Sequence, residues 1–280
     1  MSSARSSAER APAARAPGVA SADADLVARG HYARKQIFSR NPLIAWSHAS
    51  RFDLARRLVE PFAGSRLLDY GSGDGTFLGL VHDLFPNALG VDVDSHQVGE
   101  CSQRFASLSG IAFATTDLLK DVAHAGHYDV VTCMEVLEHC PADIREQVLD
   151  DLRRVAAPAA AVIVSVPIEV GPTLAVKQCV RAVAARTGLR EYEGRERYTV
   201  REFAAMLFAG PNSSLMREET TATLPDGRVI RFTGHKGFNW RALEAPLARR
   251  FTIERQLFSP VPMAGRWLNS QVWFICRPRV

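Results

Sequence analysis

Short apolar runs alternate with segments of helical periodicity along most of the chain. Many of the runs are rich in β-branched residues and stop at polar or turn-forming residues, as buried strands of a parallel sheet do. Strands are predicted at residues 65–70, 88–94, 129–133, 160–168, 251–259 and 270–278. Apolar positions recur at helical spacing at residues 51–62, 174–189, 199–210 and 239–250. This alternation predicts an α/β fold.

The chain after residues 160–168 is longer than this alternation requires. Residues 171–234 contain two of the helical segments and then Pro225-Asp226-Gly227, a strong turn signal that predicts a β-hairpin. Open α/β sheets bind ligands at the carboxyl ends of their strands, so we expect this insertion to form a lid over a ligand there. A packing elaboration or the surface of a homodimer is the alternative.

Composition and charge restrict the class of protein. Hydrophobic residues make up 47% of the chain and charged residues 23%, which excludes wholesale disorder. The net charge of +4 does not indicate a dedicated nucleic-acid binder. Five scattered cysteines without a Cys-x-x-Cys pair argue against a disulfide framework and suit a reducing compartment. The longest apolar run, residues 155–168, is interrupted by Pro158, so we expect a cytoplasmic protein without a membrane span.

The first residues differ in composition from the rest. Residues 1–22 are dominated by small residues, arginine and proline, which cannot bury enough surface to offset their ordering entropy. We therefore expect a disordered tail over residues 1–22 and one domain over residues 23–280. A segment rich in Arg and Ser and poor in acids is also typical of an organelle transit peptide, which is the alternative.

A glycine-rich turn is predicted directly after the first strand. Residues 65–77 read SRLLDYGSGDGTF, in which Gly71, Gly73 and Gly75 allow a tight turn before a helix that begins at Thr76. The second strand ends at Asp92, seventeen residues after Gly75, where an acid can bind ribose hydroxyls.

Two ligand classes share this arrangement, dinucleotides and S-adenosylmethionine. The spacing here is G-x-G-x-G rather than the dinucleotide pattern G-x-G-x-x-G, and no Tyr-x-x-x-Lys pair occurs in the chain. Asp69, just before the turn, would repel a pyrophosphate and attract a sulfonium or an amine. The charges therefore favour S-adenosylmethionine.

Four motifs in order resemble those of class I S-adenosylmethionine-dependent methyltransferases. LLDYGSGDGTF is similar to their first motif, GVDVD to the second, FATTDLL to the segment that contacts adenine, and YDVVTCMEVLEH to the fourth strand and the start of the next helix. The segment HAGHYDVVTCMEVLEHCPAD is especially similar to the ubiquinone-biosynthesis O-methyltransferase branch.

The resemblance implies a fold and a cofactor site. The fold is a Rossmann-like seven-stranded sheet in the order 3-2-1-4-5-7-6, with strand 7 antiparallel and helices on both faces. The resemblance also implies that Asp92 binds the ribose and that Asp117 and Leu118 contact the adenine. The residues expected to bind S-adenosylmethionine are Asp69, Gly71, Ser72, Gly73, Gly75, Asp92, Val93, Asp117, Leu118 and Glu135.

The fourth motif carries the candidate chemistry. Glu135, Glu138 and His139 are spaced i, i+3, i+4, which places them on one face of a helical turn. In one interpretation Glu135 lies near the cofactor and the other two support the loop. In a second, His139 is the general base for the acceptor hydroxyl, and His235 is a further candidate catalytic residue.

A third interpretation is a metal site. Glu135, Glu138, His139 and His235 could bind Mg²⁺ or a similar hard cation that polarises the acceptor. Metal-dependent ubiquinone-type enzymes and small-RNA 3′-end 2′-O-methyltransferases resemble this arrangement. Because many methyltransferases carry the same pentapeptide without a metal, we expect none here.

The function expected from the sequence is methyl transfer to a small-molecule acceptor at oxygen. The alternatives are 2′-O-methylation of RNA 3′ ends and a noncatalytic cofactor-binding module. No basic patch interleaved with aromatic residues is visible, so a nucleic-acid partner is not expected.

Overall fold

A computed structural model describes residues 21–39, 42–186 and 198–279. Eight α-helices are present in this part of the chain: α1 Ser21–Ala28, α2 Pro42–Val59, α3 Thr76–Val81, α4 Ser95–Arg104, α5 Ala142–Val155, α6 Pro172–Arg186, α7 Val200–Leu207 and α8 Glu244–Arg250. None of the helices in the described ranges is long and apolar enough to cross a membrane.

Nine strands occur in the same ranges. They are β1 Arg66–Tyr70, β2 Asn87–Asp92, β3 Ile111–Thr115, β4 Tyr128–Met134, β5 Ala156–Pro167, β6 Glu219–Thr223, β7 Val229–Thr233, β8 Phe251–Ser259 and β9 Gln271–Pro278. Strands β6 and β7 pair only with each other, as the predicted hairpin.

The other seven strands form one sheet in the order β3-β2-β1-β4-β5-β9-β8. The first five are parallel, and β9 runs antiparallel to both β5 and β8. With the hairpin left out of the count, this is the predicted order 3-2-1-4-5-7-6 with strand 7 antiparallel. The fold prediction is confirmed.

Helices cover both faces of the sheet. Consecutive strand residues point to opposite sides, so the apolar strands present side chains to both layers. Leu67 packs with α2 and α3, whereas Leu68 packs with α5 and α8, and both are fully buried. The same alternation places Trp273 on the first face and Phe274 on the second. A sheet buried on both sides explains the near-continuous apolar strands.

The ends of the chain and the insertion are described in part. Helix α1 begins at Ser21, so the last two residues of the predicted tail are helical, and the remainder of the tail lies outside the described residues. The insertion over residues 171–234 consists of α6, α7 and the hairpin, and residues 187–197 lie outside the description. The glycine turn follows β1 and the fourth motif follows β4, and the hairpin contacts the loops after β2 and β3. The carboxyl ends of these four parallel strands thus surround the candidate site.

Candidate functional site

The turn after β1 holds its three glycines in the left-handed region. Their φ angles are 76° at Gly71, 53° at Gly73 and 68° at Gly75. A Cβ on Gly71 would lie 2.2 Å from Val136 Cγ2, and one on Gly75 would lie 2.8 Å from the Phe113 ring. A Cβ on Gly73 would meet nothing within 4 Å. The outer glycines are required for packing, whereas Gly73 borders open space that a ligand can occupy.

The backbone amides of this turn are largely bonded within the protein. Those of Gly71 and Ser72 donate to the carbonyl of Val91 at 2.8 and 2.9 Å. The amide of Gly73 donates to Asp92 Oδ2 at 3.0 Å. A phosphate-binding loop needs such amides free to face the anion. The turn is therefore poorly suited to a pyrophosphate.

Asp69 lies at the end of β1, below the turn. It is 2% exposed, and its Oδ1 accepts a hydrogen bond from Thr132 Oγ1 at 2.7 Å. Burial raises the pKa of Asp69 to about 7, and the negative charge of Asp92 adds to the rise. A cationic ligand group nearby would favour the ionised carboxylate. This acid suits the amine and sulfonium of the predicted cofactor.

Asp92 lies at the end of β2 and faces the turn. Besides the amide of Gly73, it accepts the amide of Asp94 at 3.1 Å on Oδ1. Burial raises the pKa of Asp92. The next residue, Val93, is 42% exposed. The predicted ribose acid is thus held in place by the glycine turn that it adjoins.

The predicted adenine residues lie in a 3₁₀ turn directly after β3. Asp117 contacts Lys120 Nζ at 2.6 Å and Arg228 Nη1 at 3.4 Å. The hydrogen bond from Lys120 lowers the pKa of Asp117. Leu118 is 42% exposed, which leaves an apolar surface on which a ring could stack. The side chains of Asp117 and Leu118 are both exposed and lie outside the protein core.

Glu135 departs from the predicted geometry. It follows β4 with a φ of +57°, and only residues 137–139 form a short 3₁₀ turn. The prediction that Glu135, Glu138 and His139 share one face of a helical turn is therefore wrong. The left-handed residue turns the Glu135 side chain toward α2, where Arg51 Nη1 donates to its Oε2 at 3.0 Å. Glu135 is paired with a cation rather than grouped with the other two.

Glu138, His139 and His235 form a compact group. One ligand atom from each lies within 4.8 Å of the others. Glu138 is fully buried, and within the described ranges neither of its carboxylate oxygens accepts a hydrogen bond. Burial, together with the charge of Glu135, raises the pKa of Glu138 well above its usual value. A buried carboxylate without donors is a feature that requires an explanation.

The two histidines face each other and the carboxylate. Their rings are 4.7 Å apart in an edge-to-face arrangement, and His139 Nε2 is 3.9 Å from Glu138 Oε1. His139 Nδ1 lies 3.1 Å from the carbonyl of Thr233, so this nitrogen carries the proton and Nε2 has a free lone pair. Burial lowers the pKa of His139, which favours the neutral ring. This tautomer suits either a general base or a metal ligand.

The residues that sequence reasoning missed come from distant elements. Arg51 pairs with Glu135 across 84 positions and also donates to His48 Nδ1 at 2.6 Å. Burial, followed by the charge of Arg51, lowers the pKa of His48 to about 3, so the neutral ring accepts this hydrogen bond. Arg217 contacts the carbonyl of Glu138 and donates to that of Gly234 at 2.8 Å. No local motif marks Arg51 or Arg217.

The N-terminal segment is seated on the glycine turn. Asp74, inside the turn, accepts the amide of Tyr32 at 2.8 Å and that of Ala33 at 3.4 Å on Oδ2. Its Oδ1 accepts the hydroxyl of Thr76 at 2.6 Å. A Cβ on Gly30 would lie 2.4 Å from Asp74 Oδ2, so the approach depends on glycine there. The helices before β1 therefore close one side of the candidate site.

A family model described as a methyltransferase domain matches residues 45–209. A ubiquinone biosynthesis O-methyltransferase from Marinobacter nauticus is 38% identical over 88 residues, which is 28% of this chain and 35% of that protein. The aligned segment thus spans about a third of that relative's length.

Solved structures resemble the fold at low sequence identity. The PH0226 protein from Pyrococcus horikoshii matches with a TM-score of 0.54 and 17% identity, over 89% of this chain and 98% of that one. DhpI in complex with SAH (S-adenosylhomocysteine) matches with a TM-score of 0.51 and 15% identity, over 91% and 94%.

Proposed function

The chain belongs to the methyltransferase domain family, and from that membership we propose that it transfers a methyl group from S-adenosylmethionine to an oxygen atom of a small-molecule acceptor. One observation supports the cofactor above all others. The amides of Gly71, Ser72 and Gly73 are bonded to Val91 and Asp92, and two acids flank the turn: Asp69, which is buried, and Asp92, which is half-buried. This is an environment for a cationic cofactor and not for a pyrophosphate.

The cofactor residues divide by the part of S-adenosylmethionine that they bind. Asp69 faces the methionine end, and Asp92 binds the ribose hydroxyls through its carboxylate. Asp117 and Leu118 bind the adenine. Glu135, held by Arg51, closes the methionine end from the opposite side. Val93, Ser72 and Gly73 line the connecting surface.

Methyl transfer requires alignment more than covalent help. An oxygen lone pair of the acceptor bonds to the methyl carbon while the carbon–sulfur bond breaks and its electron pair stays on sulfur. The acceptor proton must also leave. In the metal-free alternative, the Nε2 lone pair of His139 accepts this proton, and His235 lies beside it.

The same group has the chemistry of a cation site. Glu138 supplies a buried carboxylate without hydrogen-bond donors among the described residues, and two imidazoles lie beside it. We propose that Glu138, His139 and His235 bind a divalent cation, which would polarise the acceptor oxygen when bound. Because Glu135 pairs with Arg51, the ligand set has two nitrogens and one oxygen. Such a set favours first-row transition ions such as Mn²⁺ over Mg²⁺.

The acceptor class is tested by following the methyl group. Incubating the protein with a small-molecule extract, an RNA extract and S-adenosylmethionine carrying a trideuterated methyl should place the label in the small-molecule fraction. Mass spectrometry of both fractions measures this, with a boiled protein as control. Label at RNA 3′ ends would replace the proposed acceptor by the alternative one.

We place the reaction in the cytoplasm, in keeping with the free thiols of all five cysteines.

Replacing Asp92 by alanine should weaken the binding of SAH by about tenfold to a hundredfold. A hydrogen bond to a charged group contributes about 1.5–3 kcal/mol, and about 1.4 kcal/mol corresponds to tenfold in affinity. Isothermal titration calorimetry of both proteins measures the ratio.

Asp94→Ala is the matched control for this variant. Asp94 lies two residues further on and caps α4 through the amides of His96 and Gln97, so its loss loosens the same loop without removing the ribose acid. Equal losses of affinity in the two variants would contradict the assignment of Asp92 to the ribose.

A further inference from the structure

The β6–β7 hairpin lies apart from the main sheet. Its two strands pair only with each other, and most of its residues are exposed. A two-stranded ribbon is at best marginally stable by itself. The position of the hairpin therefore depends on contacts with other elements, which are an ion pair of Arg231 in β7 with Asp143 in α5 and the polar contacts at its two ends.

One end of the hairpin is attached to the fourth motif. Thr233 is 2% exposed, and its Oγ1 donates to the carbonyl of Glu138 at 3.0 Å. The carbonyl of Thr233 accepts from His139 Nδ1. These bonds connect the end of β7 to the group of residues next to the proposed acceptor.

The other end reaches the region proposed for the nucleoside. Arg228, just after the turn, donates through Nη2 to the carbonyl of Val93 at 2.6 Å and contacts Asp117 at 3.4 Å. Asp226, in the turn, accepts the hydroxyl of Ser95 at 2.7 Å and Arg228 Nε at 2.9 Å. Val93 and Ser95 follow β2, and Asp117 follows β3. The tip thus joins the two loops that flank the ribose and adenine positions.

A single ribbon consequently spans the site from the acceptor end to the adenine end. We propose that the β6–β7 hairpin is a clasp over the nucleoside half of the cofactor and that Arg228 is its latch, a positioning residue that controls cofactor exchange. The inference rests on the proposed function, because it assumes that S-adenosylmethionine lies along Asp92 and Asp117.

The strength of the contacts suits a latch that opens in every turnover. Exposed ion pairs contribute between about 0 and 1 kcal/mol each, but Arg228 joins two carboxylates and a carbonyl in one network. Losing the network should change an exchange rate by about tenfold, equivalent to about 1.4 kcal/mol. A much tighter clasp would retain the product.

The first test compares Arg228→Gln with Arg277→Gln in the full chain. Arg277 is matched to Arg228: both side chains are 41% exposed, and Arg277 likewise donates to a carboxylate, Glu254, at 2.9 Å and to a carbonyl, that of Ala159, at 2.7 Å. It lies on β9, away from the site. Surface plasmon resonance of SAH gives the association and dissociation rates for each protein.

Arg228→Gln should accelerate SAH dissociation about tenfold and association about threefold, because an open clasp frees both entry and exit. Arg228→Lys should restore part of the wild-type rates, and Arg277→Gln should match wild type. Faster dissociation combined with slower association would indicate a distorted site and overturn the proposal, as would unchanged rates. A wild-type protein that does not bind SAH would refute the proposed function itself.

A second test closes the clasp instead. Ser95→Cys with Asp226→Cys, in a Cys179→Ser background that removes the exposed native thiol, places two thiols where a hydroxyl and a carboxylate now touch. Once oxidised, this protein should exchange SAH at least tenfold more slowly than wild type, and a reductant should reverse the effect. Exchange at the wild-type rate in the cross-linked protein would overturn the proposal.

Discussion

Glu138→Gln should abolish methyl transfer, with a loss of at least a hundredfold, while leaving the affinity for SAH within about threefold of wild type. Glutamine keeps the shape of the side chain but removes the charge that holds a cation between His139 and His235. A chelator should inactivate the wild-type protein to the same extent, and Mn²⁺ should restore it. The same ion should not restore the variant. Deuteromethyl transfer measures turnover, and equilibrium dialysis with elemental analysis measures bound metal.

Glu169→Gln is the control for this change. Glu169 is also a buried glutamate, but it pairs with Lys177 at 2.8 Å, outside the group. It should retain both metal and activity. Full activity of the wild-type protein after complete chelation would contradict the metal proposal and leave His139 as a metal-free base, in line with the expectation from the sequence.

Gly73→Val should lower the affinity for SAH by at least a hundredfold. No protein atom lies within 4 Å of a Cβ at this position, so the side chain would enter the open space proposed for the cofactor. The left-handed backbone adds strain of about 1–2 kcal/mol for a residue with a Cβ. Calorimetric titration with SAH measures the affinity, and thermal unfolding measures the strain.

Gly126→Val separates these two effects. Gly126 has a φ of 62° against 53° for Gly73, and a Cβ there also meets nothing within 4 Å, but it precedes β4 and so lies at the amino ends of the parallel strands, away from the glycine turn. It should show the loss of stability and normal binding of SAH. Equal binding by both variants would mean that the cofactor does not pass over Gly73.

The sheet and the glycine turn were predictable because their signals are local. Apolar runs such as residues 160–168 mark buried strands, and a glycine between a strand and a helix marks a left-handed turn. The strand order came from the resemblance to a family, since periodicity alone does not define which strands pair. The hairpin was predictable from Pro225-Asp226-Gly227, but its contacts with Ser95 and Asp117 were not.

The details of the fourth motif were not predictable because they depend on a distant partner. The i, i+3, i+4 spacing assumes helical backbone at Glu135, and a left-handed glutamate is uncommon. The salt bridge with Arg51, 84 positions away, accompanies that conformation here. Glu138 and His139 do lie together, with His235, whereas Glu135 pairs with Arg51.

The contact of Tyr32 with Asp74 joins the described N-terminal segment, residues 21–39, to the glycine turn. Asp74 Oδ2 accepts the amides of Tyr32 and Ala33, so a ligand that moves Asp74 must also change these two hydrogen bonds. By reciprocity, a ligand that strengthens this docking by a given free energy is itself bound more tightly by the same free energy when the segment is docked. A part of the chain outside residues 45–209, which the family model matches, is thereby bonded directly to the glycine turn.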